Sequence, residues 1–118
     1  MRTNKSSIKI ILALFLILFI AACAQQAEEQ SSAVEAQDTA LIEISNFQFV
    51  PGTATIKRGG TVTWVQKDSV AHTIAIKDLQ TSSLLNEGEQ WNFTFDKTGS
   101  YSYICSIHPS MKGKIIVK

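Results

Sequence analysis

Cys105, His108 and Met111 stand three residues apart, between two stretches in which apolar residues alternate with others. Tyr101, Tyr103 and Cys105 fall on one face of the first stretch, Ile115 and Val117 on one face of the second. Period-two alternation marks a half-buried strand. The chain is therefore committed here to strand, short loop, strand. A loop this short turns its three donor side chains toward one point, and the strands hold its ends.

The same pattern recurs upstream. Ile42 and Ile44 alternate, and the phase then slips and resumes at Phe47 and Phe49, which predicts a bulge near Ser45 and Asn46. Pro51-Gly52 reads as a turn, Ala54 and Ile56 alternate, Gly59-Gly60 reads as a second turn, and Val62 and Trp64 follow. His72, Ile74 and Ile76 share one face of a predicted strand. Residues 77–90 read as loop, Trp91, Phe93 and Phe95 alternate, and Lys97-Thr98-Gly99 turns into the strand that ends at Cys105. Short strands separated by Gly and polar turns predict an all-β Greek-key sandwich of about seven to eight strands.

A thiolate, an imidazole and a thioether on one loop are soft and borderline donors that favour copper. A trigonal plane of two His and one Cys with a weak axial Met is the blue-copper electron-transfer arrangement. The chain has one further His, His72, to complete the plane. Zinc is the competing metal, since Cys and two His also suit it, but a thioether as fourth donor argues for copper. Taken singly, the residues have plainer readings: His72 as a hydrogen-bonded core histidine, Cys105 as an inert buried thiol, Met111 as a core plug. Taken together they form a ligand set. A dinuclear centre needs two bridging Cys, and only Cys105 is available, since Cys23 belongs to the N-terminal segment; two His exclude a multicopper oxidase.

The N-terminus is of another kind. Arg2, Lys5 and Lys9 precede an unbroken apolar run of thirteen residues from Ile10 to Ala22. That run is too short to span a bilayer and suits a signal-peptide core. It ends at Ile20-Ala21-Ala22-Cys23, which resembles the lipobox of prokaryotic lipoproteins; the alternative is an uncleaved anchor. Residues 1–22 are thus expected to be a signal peptide, and residues 23–40 a lipid-anchored tether starting at lipid-modified Cys23. The tether has no aromatic residue and no Lys or Arg, too little apolar surface to fold alone. The folded domain is expected over 41–118. Its eight Lys and Arg against six Asp and Glu make no basic stripe for nucleic acid.

Gly99 to Val117, with the Cys105-Ser106-Ile107-His108-Pro109-Ser110-Met111 loop, resembles the copper-binding end of a plastocyanin/azurin-type cupredoxin. Phe47-Gln48-Phe49-Val50-Pro51 and Gly60-Thr61-Val62-Thr63-Trp64, followed by Asp68 and His72, resemble that family upstream, and the ligand loop is most similar to amicyanin. The resemblance implies one type 1 copper held by His72, Cys105, His108 and axial Met111, with His108 as the electron port. It implies a non-enzymatic carrier of single electrons between redox proteins such as a cytochrome, a dehydrogenase or an oxidase. A tethered carrier would work on the periplasmic or extracellular face of a prokaryotic membrane. The rival reading is a copper carrier or storage protein without redox turnover. Two departures from the family stand out: Thr73 replaces the Asn often found after the first His, and Ile107 and Ser110 flank His108-Pro109 where amicyanin loops usually carry Pro and a bulky apolar residue.

Overall fold

The computed structural model describes residues 35–118; Cys23, the predicted signal segment and most of the predicted tether lie outside them. Eight strands follow in order: β1 (Gln37–Ser45), β2 (Gln48–Val50), β3 (Thr53–Gln66), β4 (Ala75–Ile76), β5 (Gln80–Thr81), β6 (Gln90–Thr94), β7 (Gly99–Ile104) and β8 (Lys112–Val117). No helix occurs among the described residues, as the all-β expectation requires. β1 begins at Gln37, four residues before the expected domain start at 41, because Thr39 and Ala40 already pair with Thr61 and Val62 of β3.

β3 organises the molecule. Its first part, Thr53 to Ile56, pairs in parallel with β8. Its second part, Thr61 to Gln66, lies between β1, parallel, and β6, antiparallel. One layer is therefore β2-β1-β3-β6 and the other β3-β8-β7-β4-β5. The Gly59-Gly60 pair, expected as a turn, is instead a bend inside this continuous strand, where the chain changes partners. Gly59 takes a left-handed φ of 83°. Gly60 packs so closely that an added Cβ would lie 2.8 Å from the carbonyl oxygens of Asp38 and Lys57.

The alternation read from the sequence puts the core between the layers. Ile42, Ile44, Val62 and Trp64 point in from one side, Ile76, Tyr103, Ile115 and Val117 from the other. The Tyr103 ring joins the layers, 5.4 Å from Trp64 and 4.7 Å from Phe49. Its cross-strand neighbour is Gly113, where any Cβ would collide with the phenol ring.

Two further expectations are corrected. The phase slip near Ser45 and Asn46 is a two-residue hairpin turn between β1 and β2, with Ser45 paired to Gln48. Asn46 and Phe47 both have positive φ, 51° and 57°, as a type I′ hairpin turn demands. Phe47 thereby leaves the core and sits at the turn, 48% exposed. His72, Ile74 and Ile76 are all buried, but only Ala75–Ile76 form strand. His72 is held by an isolated bridge to Leu85, while Ile74 N–H donates to Ser82 Oγ at 2.9 Å. Side-chain and loop acceptors replace a neighbouring strand over this stretch.

Candidate metal centre

The site forms where the end of β3, the loop after it and the loop between β7 and β8 meet. Gln66, the last residue of β3, is fully buried. Its amide nitrogen donates to the Val70 carbonyl at 2.6 Å and the Asp68 carbonyl at 3.1 Å, and its amide oxygen accepts the Asp68 N–H at 2.7 Å. This internal bracket folds residues 67–71 into a tight loop and aims the Asp68 carboxylate inward.

Asp68 then serves three groups. Oδ1 accepts the Asn46 N–H at 2.7 Å, Oδ2 accepts the Phe47 N–H at 2.9 Å, and Oδ2 lies 2.9 Å from His72 Nε2. Burial works to raise the Asp68 pKa, but the Phe47 and Asn46 N–H groups, with His72 behind them, hold it below the usual carboxylate value. An ionised carboxylate only accepts hydrogen bonds. The proton of neutral His72 therefore sits on Nε2, and Nδ1 presents its lone pair to the site.

The second loop closes on itself. Cys105 N–H donates to the Met111 carbonyl at 3.1 Å and Met111 N–H to the His108 carbonyl at 2.9 Å. Cys105 is completely buried, Met111 is 3% exposed and His108 is half-buried. Cys105 Sγ lies 3.8 Å from His72 Nδ1 and 3.8 Å from His108 Nδ1. The donor atoms of His72, Cys105 and His108 all fall within 4.8 Å of one another. Burial opposes ionisation of Cys105. Hydrogen bonds from the Thr73 and His108 backbones work against it and lower the thiol from its ordinary value. The lowered pKa favours the thiolate, the form that binds metal.

Thr73 answers the first departure noted in the sequence. Its N–H donates to Cys105 Sγ at 3.4 Å. Its hydroxyl accepts the Ser106 N–H at 2.9 Å and lies 2.7 Å from Ser106 Oγ. A threonine therefore ties the His72 loop to the Cys105 loop.

The donor set fits a soft, one-electron metal: two imidazole nitrogens facing one thiolate, with a buried thioether at the end of the same loop. The structure brings His72, Cys105 and His108 together as the sequence predicted and buries Met111 beside them in the chain. Sequence reasoning did not find the bracketing by Gln66, the carboxylate on His72 or the place of Phe47. The phase slip at Asn46, a residue tolerant of left-handed backbone, was the available signal for Phe47.

A family model described as a cupredoxin-like domain matches residues 10–117. An amicyanin from Paracoccus versutus is 32% identical over 87 residues, covering 69% of this chain and 66% of that protein. A plastocyanin from Scenedesmus fuscus is 34% identical over 84 residues, 59% of this chain and 86% of that protein. The crystal structure of amicyanin from Paracoccus versutus superposes with a TM-score of 0.64 at 31% identity, covering 69% of this chain and 82% of that one. The chain thus spans just under two thirds of the length of the first amicyanin.

Proposed function

The chain belongs to the cupredoxin-like family, whose cofactor is one type 1 copper, and on that premise we propose that it is a membrane-tethered electron carrier. His72, Cys105, His108 and Met111 would hold the metal. The observation that carries this reading is the convergence of two imidazole Nδ1 atoms on one thiolate, each 3.8 Å from Sγ. When bound, copper supplies a one-electron couple. The protein's own residues fix the donors. Asp68 sets the His72 tautomer, Thr73 locks the two loops, and the Cys105–Met111 backbone bond closes the ligand loop. A frame braced in this way keeps both oxidation states in nearly one geometry, which favours fast electron exchange.

Four protein donors leave no open position for a substrate, so the chain acts as carrier rather than enzyme. Burial of Cys105, His72 and Met111 speaks against the rival role of a labile copper donor, which needs accessible ligands. His108, half-buried on an otherwise exposed loop, is the port for redox partners such as a cytochrome, a dehydrogenase or an oxidase. The run ending at Cys23 supports a lipid anchor that would hold the domain outside the cytoplasmic membrane.

Loading the purified protein with Cu(II) tests the centre. Intense visible absorption from thiolate-to-copper charge transfer is expected. Cys105→Ser should abolish it while the far-ultraviolet circular dichroism stays that of a β protein. Weak d–d absorption alone from the wild type would refute the blue-copper reading.

A further inference from the structure

Phe47 holds a position that neither packing of the core nor turn formation explains. The second residue of a two-residue type I′ turn is ordinarily Gly, because both central residues need positive φ. Here it is Phe, at φ 57°. A bulky side chain in that backbone region is strained, and such strain persists only where surrounding contacts enforce it. The enforcing group is Asp68, which accepts the N–H of both turn residues. The same carboxylate holds His72.

The ring this turn projects touches both imidazoles. Phe47 lies 5.2 Å from His72 and 5.2 Å from His108, at 89° to each, and the two imidazoles are 5.1 Å apart. Three rings thus form a nearly equilateral set. Phe47 is its outer member, since His72 is fully buried and Phe47 is about half exposed.

We infer that Phe47 is a positioning residue for the metal centre: clamped by Asp68 across the β1–β2 turn, its ring closes the gap between His72 and His108, keeps small external ligands from the metal, and holds His108 in place. The inference rests on the copper reading above. The geometry couples the two loops that carry the histidines to a third segment without a covalent link. Asp68 orients His72 directly and His108 through Phe47.

The test uses copper-loaded protein with azide and imidazole as probes, followed by visible absorption and electron paramagnetic resonance. Wild-type spectra should be insensitive to either probe. Phe47→Ala should bind them at least about tenfold more tightly than wild type, a difference well above titration error. Phe47→Gly should do the same, and its backbone suits the turn, so a folding defect cannot account for the result. Phe47→Trp should restore exclusion, which loss of the fold would not allow. In the metal-free protein, Asp68→Asn should speed amide hydrogen exchange at Asn46 and Phe47, a readout independent of copper. Phe47→Ala and Phe47→Gly proteins that show the charge-transfer band yet exclude both probes as wild type does would overturn the inference. A wild type without that band would instead defeat the copper reading itself.

Discussion

Asp68 is one carboxylate with three dependants, and its removal should be felt at all of them. Its pKa is held low in the folded state, first by the two turn N–H groups acting against burial. A lowered folded pKa means the stabilisation is present above the unfolded value of about 3.9 and is lost as pH falls through the folded value. Wild-type protein should therefore lose stability on acidification below about pH 4, and Asp68→Asn should show a flatter acid limb from a lower plateau. Denaturant unfolding of the metal-free proteins from pH 7 to pH 3 measures it, and parallel curves would contradict the assignment. The four expected ligands were legible because spacing and donor chemistry are properties of the chain itself. Asp68 and Phe47 were not. The Asp68 carboxylate gains its meaning from residues 21 and 22 positions away, and no periodicity records such a contact.

At the scale of elements, the alternating faces of β3, β7 and β8 were readable because each strand is half-buried and its register decides which side chains meet the core. The continuity of β3 through Gly59-Gly60 was not readable, since two glycines mark a turn and a partner-switching bend alike. Nor was the irregular His72 stretch, whose backbone is satisfied by Leu85 and Ser82 rather than by a strand. Tyr103 gives a prediction at this level. Its hydroxyl and Trp64 Nε1 are both buried without a hydrogen bond of good geometry, and burial pushes the phenol up to about 12, with the Trp64 side chain working the other way. The unfolded chain ionises near pH 10, so stability is complete below that pH and declines up to about 12, by roughly 3 kcal/mol in all. Tyr103→Phe removes the orphaned hydroxyl at nearly constant shape, which is close to neutral or stabilising at pH 7. It should unfold at the same or higher temperature there and lack this share of the alkaline decline. A loss of more than about 2 kcal/mol at neutral pH would show that the hydroxyl has a partner.

At the scale of the whole molecule, the proposed lipid anchor gives a prediction of its own. Wild-type protein should stay with membranes through a high-salt wash, because lipid burial contributes ~0.8 kcal/mol per CH2 and is not screened by salt. Cys23→Ser should release it or halt its processing, and mass spectrometry of an unlipidated mature N-terminus at another position would contradict the anchor. The domain itself has no separable half, because β3 belongs to both layers and two of its three neighbours, β1 and β8, run parallel to it. Parallel neighbours cannot be joined by a tight turn, so these pairings link distant parts of the sequence. β8 is the last described strand, and it both docks on the start of β3 and holds one end of the ligand loop. Assembly order follows from this. A chain emerging N-terminus first can form the β1–β2 hairpin early, yet its donor loop has no anchored far end until β8 has docked on β3, so the cluster of His72, Cys105 and His108 is complete only once that strand is in place.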